Sequence, residues 1–140
     1  MSEFMRNEHK AIQSWISKTY GGKYKIEAEI IKTNYLPNKV TKVYQPDVIV
    51  RDKLDRIIAI IEIENKPVRK VIVGAIILAD YSMSKINFII KPRLIFIVYT
   101  ERGIRQIKSA KKKIDIAQQY CSNLKSIKMY SSDEFKKVRI

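Results

Sequence analysis

The chain reads as one α/β domain over residues 1–140, a mixed central sheet flanked by helices in the order αβββαβαβ. Three observations predict it. Apolar residues recur at helical spacing in three separated stretches, which marks amphipathic or buried helices. Between them lie short runs rich in Ile and Val, the composition of strands. Ile57 to Ile63 and Arg93 to Thr100 are almost continuously apolar, as expected of strands covered on both faces.

Taken in order, Met5, Glu8, Ile12, Trp15 and Thr19 share one stripe of a first helix, which Gly21-Gly22 ends. Lys25 to Ile31 alternates loosely as a strand. Tyr44 to Val50 and Ile57 to Glu64 follow as two more strands, joined by the short charged turn Arg51 to Arg56, so they form an antiparallel hairpin. Pro67 suits the first turn of a second helix, Val68 to Met83, which is apolar on most faces. Arg93 to Thr100 is a buried strand. Ile104, Ile107, Ala110, Ile114, Ala117 and Cys121 mark a third helix, and a strand around Ser126 to Tyr130 closes the domain.

The hairpin carries the chemistry. A buried strand should not end in Glu62 and Glu64 unless those charges face a polar site. Alternation puts Glu62, Glu64 and Lys66 on one face, with Ile61 and Ile63 on the other. Hairpin pairing brings Asp47 within about one residue pair of Glu62, and cross-strand neighbours lie about 4.5–8 Å apart. Carboxylates crowded in this way repel one another, and a hard divalent cation with oxygen ligands relieves them. Glu8 adds an acid to the apolar stripe of the first helix, where it needs a positive partner. His9 is the only histidine, so zinc chemistry is excluded, and phosphate contact is the one role open to it.

Charge narrows the partner. The formal net charge is +14 over 140 residues, far beyond what solubility requires. Such an excess predicts salt-sensitive attraction to nucleic acid. The cations fall in two groups: Lys66, Arg69 and Lys70 at the start of the second helix, and Arg102, Arg105, Lys108, Lys111, Lys112 and Lys113 on the third. The single Cys121 excludes a disulfide framework. With no apolar run long enough for a membrane span and no secretory signal, the expectation is a soluble cytoplasmic protein.

These residues resemble the PD-(D/E)XK nuclease superfamily. Pro46-Asp47 matches its first element, and either Glu62-Ile63-Glu64 or Glu64-Asn65-Lys66 matches its second. The element order also follows the family's core, and Gly74 to Tyr81 looks like the helix after its motif strand, without the usual Gln. The resemblance implies a restriction-endonuclease-like fold and Mg²⁺- or Mn²⁺-dependent hydrolysis of phosphodiester bonds in DNA. Asp47 and Glu62 would hold the metal, with Glu8 as the further ligand that several members carry on the first helix. Glu64 or Lys66, according to register, would position or activate the water. The hairpin register favours Glu62 as the ligand opposite Asp47. In size and basicity the chain is similar to archaeal Holliday-junction resolvases and small viral nucleases. Two alternatives remain: a basic nucleic-acid-binding protein of the same fold without cleavage, and a ribosomal or RNA-binding α/β domain. Cutting both strands of a duplex needs two sites, so a homodimer is expected, joined through Val73, Ile77 and Met83 of the second helix.

Overall fold

The computed structural model describes residues 2–28, 44–86 and 90–140. Among the described residues ten elements follow in order: α1 (Glu3–Tyr20), β1 (Lys25–Ala28), β2 (Val48–Arg51), β3 (Ile57–Glu64), α2 (Arg69–Ser84), β4 (Arg93–Val98), α3 (Glu101–Ile104), α4 (Ile107–Gln118), β5 (Ser126–Ser131) and α5 (Ser132–Phe135). The strands form one five-stranded sheet in the order β1-β2-β3-β4-β5. β1, β2 and β3 are an antiparallel meander, and β3, β4 and β5 run parallel. The chain is therefore α/β with a mixed sheet between helices, as its hydrophobic periodicity predicts.

Parallel neighbours need crossover connections, and helices supply them here. α2 joins β3 to β4, and α3 with α4 joins β4 to β5. Both crossovers pack on one face, where Ile72, Ile76, Ala110 and Ile114 meet Ile60, Phe96, Ile127 and Met129. The opposite face buries Ile61, Ile63, Ile95 and Ile97 against Ile12 and Ile16 of α1 and Phe135 of α5. β3 is thus covered on both sides, which explains its unbroken isoleucine run. Each such side chain, fully buried, contributes about 1.5–3 kcal/mol.

Local chemistry sets the ends. Ser2 caps α1 by accepting the Met5 N–H at 3.2 Å. In the β2–β3 turn, Asp52 Oδ1 accepts the N–H groups of Leu54 and Arg56, both at 2.9 Å, and Asp55 takes the left-handed conformation at φ 65°. Thr100 caps α3, and Ser131 with Glu134 forms a capping box on α5.

Several expectations change. The third predicted helix is two, because the chain turns at Arg105 and Gln106 between α3 and α4. The buried stripe of α1 runs through Ile12, Gln13 and Ile16, while Thr19 is exposed, a rotation of the predicted face. Met83 is buried at 1 % exposure and belongs to the core. Lys66 lies past the end of β3 in an exposed bend, so it does not continue the face of Glu62 and Glu64. β1 is described only to Ala28, and Glu29 to Ile31 of the predicted strand lie outside the described residues.

Candidate metal centre

Three acids converge where β2 begins and β3 ends. The ladder pairs Val48 with Ile61, so one step further Asp47 stands opposite Glu62. Their side chains complete the ladder reciprocally: the Asp47 N–H donates to Glu62 Oε1 at 2.9 Å, and the Ile63 N–H donates to Asp47 Oδ2 at 2.7 Å. Glu64 lies two residues on, near enough for the Asp47 charge to act on it.

Burial and mutual repulsion make the ionised forms costly. Burial, then the Asp47 charge, raises the Glu62 carboxyl from an ordinary 4.5 to about 8. The same two causes raise Glu64 to about 7. Tyr44 lies in the core beside these acids with only 6 % exposure, and its hydroxyl has no hydrogen-bond partner among the described residues. Burial, followed by the charges of Glu62, Asp47 and Glu64, holds its phenol well above its ordinary value, so it stays a donor. A buried hydroxyl without a partner is rare and costs about 1–3 kcal/mol.

α1 closes one side of the site. Gln13 is buried, and its Nε2 donates to the Asp47 carbonyl at 3.1 Å. His9 packs edge-on against Tyr99 with ring centroids 5.3 Å apart. Burial and the charges of Glu64, Glu8 and Asp47 push the Tyr99 phenol up to about 12. Glu8 is half-buried and faces the site through Tyr99.

The loops at the C-terminal ends of β3 and β4 are laced together. The Tyr99 N–H donates to the Glu64 carbonyl at 3.3 Å, and the Thr100 hydroxyl donates to the Asn65 carbonyl. Gly103 sits so close that an added Cβ would press on the Asn65 carbonyl and lie 2.7 Å from Val98 Cγ1. Only glycine allows α3 to approach there. This lacing carries Lys66, Arg69, Lys70, Arg102 and Arg105 to the same end of the sheet as the acids, all of them exposed. Lys108, Lys111, Lys112 and Lys113 follow along α4, also exposed. Arg105 meets Glu101 at 3.4 Å in a solvated pair, and Arg69 and Lys113 flank one crevice between α2 and α4. Lys66 forms no ion pair with Glu62 or Glu64 among the described residues.

Of the predicted acids, the fold sets Asp47 opposite Glu62, with Glu64 two residues further along β3. Sequence reasoning misses Gln13, whose signal was a polar residue on the buried stripe of α1. It places Tyr44 only at the start of the second strand, since nothing in the sequence shows that its hydroxyl is buried with no partner among the described residues. Among the described residues no group of three or more His, Cys, Asp or Glu side chains already stands in a metal-holding arrangement. No helix there is long and apolar enough to cross a membrane.

Searches against protein families, curated proteins and solved structures find no significant match to this chain.

Proposed function

We propose that the chain is a divalent-cation-dependent nuclease of the PD-(D/E)XK type, hydrolysing phosphodiester bonds in DNA in the cytoplasm. One observation carries the reading: Asp47 and Glu62 interlock at a sheet end with Glu64 near them, beside a buried hydroxyl that has no partner among the described residues and within a rim of exposed cations. The residues fit a hard cation. Carboxylate oxygens are the donors that Mg²⁺ and Mn²⁺ prefer, and an added positive charge would offset the repulsion that raises Glu62 and Glu64. The C-terminal ends of parallel strands are also where ligands commonly bind in open α/β sheets.

Mg²⁺ or Mn²⁺ bound there would lower the pKa of a bound water and polarise a scissile phosphate. Asp47 and Glu62 supply oxygens from adjacent strands, and Gln13 and the Ile63 N–H hold Asp47 in place. Glu64 orients the attacking water. The Tyr44 hydroxyl donates a hydrogen bond to water or phosphate oxygen at the buried edge. Lys66 reaches in along its flexible stem and neutralises charge developing on the phosphate. Glu8 contributes a ligand from the α1 side, directly or through water. Arg69, Lys70, Arg102, Arg105, Lys108, Lys111, Lys112 and Lys113 hold the flanking backbone phosphates.

A homodimer would supply the second site that a duplex cut requires. Val73, Ile77, Leu78 and Tyr81 expose apolar surface on α2, replacing the predicted patch that included Met83. Light scattering at micromolar concentration tests it: a mass equal to the 16.4 kDa chain, unchanged by DNA, rules it out.

A second reading keeps the same fold and basic surface but binds nucleic acid without cutting it. It is favoured by the two main-chain N–H groups that Asp47 and Glu62 already accept, which satisfy part of the pair without a cation. Cleavage assays on linear, circular, single-stranded and four-way-junction DNA separate the two. The nuclease reading expects products with Mg²⁺ or Mn²⁺ and none in EDTA; binding without products in every case supports the second reading.

A further inference from the structure

At the opposite end of the sheet from the acids, a recess of about 480 Å³ opens beside the N-terminal ends of β3 and β4. Ile58, Ile90 and Ile140 line it together with three cations, Lys91, Arg93 and Lys125. The fold holds the cations there by main-chain geometry. Arg93 begins β4, pairing with Ala59 of β3 and Ser126 of β5, and the Lys125 N–H donates to the Pro92 carbonyl at 2.8 Å. Arg93 is half-buried, and Lys91 and Lys125 are exposed.

None of the three meets a carboxylate among the described residues. Elsewhere in this fold the cations at the sheet edge do find acids: Arg51 reaches Glu27 at 3.0 Å and Lys25 reaches Glu27 at 3.6 Å. Three like charges drawn to one recess, none of them in an ion pair among the described residues, repel one another, and a bound anion relieves that cost. The isoleucine lining is apolar and partly exposed, suited to a flat ring or sugar rather than to a small ion alone. The volume falls in the usual range for small-ligand sites, about 300–1,000 Å³.

We propose that this recess binds a nucleotide unit, with its phosphate on Lys91, Arg93 and Lys125 and its base or sugar against Ile58, Ile90 and Ile140. A free mononucleotide and one unit of a single strand share that chemistry. The site is separate from the acid cluster: Glu62 pairs with Phe96, three residues along β4 from Arg93, about 10 Å at the strand rise, and Glu64 lies further still. It does not depend on the nuclease reading.

The test is an NMR titration of the full chain with isoleucine methyls labelled, in EDTA, using inorganic phosphate, deoxyadenosine monophosphate and a short single-stranded oligonucleotide as separate probes. The methyls of Ile58, Ile90 and Ile140 shift with the mononucleotide, the oligonucleotide or both. A response to the mononucleotide identifies a free-nucleotide site, and a response to the oligonucleotide alone identifies a strand contact. Lys91→Gln with Lys125→Gln changes only exposed side chains, so the fold is kept, and affinity falls by about tenfold or more. Arg93→Gln deepens the loss. Absence of methyl shifts with either nucleotide probe, or equal affinity in the double variant, overturns the proposal.

Discussion

Replacing Glu62 by Gln keeps an oxygen that accepts the Asp47 N–H but removes the charge that the site resists. The carboxyl of Glu62 is raised from 4.5 to about 8 by burial and by Asp47. Between those values the folded chain holds a proton that the unfolded chain has lost, so metal-free stability falls as pH rises through this window. Each unit is worth about 1.4 kcal/mol, which bounds the full cost of ionising Glu62 near 5 kcal/mol. Partial solvation reduces this, and about 2–4 kcal/mol is expected at pH 8, shrinking below about 1 kcal/mol at pH 5. Glu62→Gln is therefore more stable than the parent in EDTA at pH 8 and nearly equal to it at pH 5. In urea its midpoint should rise by about 1–2 M at the higher pH. Added Mn²⁺ should stabilise the parent and leave the variant where it was. A variant no more stable than the parent in EDTA at pH 8 would refute the claim that Glu62 is held against its charge.

Other substitutions probe separate parts of the account. Asp47→Ala abolishes Mg²⁺- or Mn²⁺-dependent cleavage yet keeps salt-sensitive DNA binding, because binding rests on many cations; gel-shift and cleavage assays on one preparation check both. The register is read by comparing Glu64→Gln with Lys66→Met in steady-state cleavage. With Lys66 exposed beyond the strand, Glu64→Gln is the more damaging, and the reverse order assigns the motif to Glu64-Asn65-Lys66. Tyr44→Phe removes a buried hydroxyl that has no partner among the described residues, so it weakens Mn²⁺ binding about fivefold while the thermal midpoint holds or rises. Gly103→Ala forces a methyl against Val98 and the Asn65 carbonyl and destabilises by about 1–3 kcal/mol, measured by urea unfolding.

What the sequence reveals follows from how local each determinant is. The alternation of β3 and the charged turn before it place Asp47 opposite Glu62 without any tertiary information, and the register agrees. The helix–strand order is equally local, since each crossover helix carries its own apolar stripe. The misses are tertiary. Nothing near Met83 in sequence shows that the far end of α2 turns it into the core. Lys66 leaves the strand face because the Asn65 side chain captures the Lys66 N–H at 2.9 Å and bends the chain before α2. Gln13 joins the site from α1, 34 residues before Asp47, and Tyr44, though close to Asp47 in sequence, joins it because the fold turns its ring into the core.

The central claim is that Asp47, Glu62 and Glu64 form one divalent-cation site, and calorimetric titration of Mn²⁺ in buffers of different ionisation enthalpy tests it most directly. With Glu62 near 8 and Glu64 near 7, binding at pH 7 should release about 1–1.5 protons per ion, falling towards zero by pH 9. Glu62→Gln and Asp47→Ala should both remove the binding heat. Mn²⁺ binding that releases no protons at pH 7, or that survives unchanged in both variants, would contradict it.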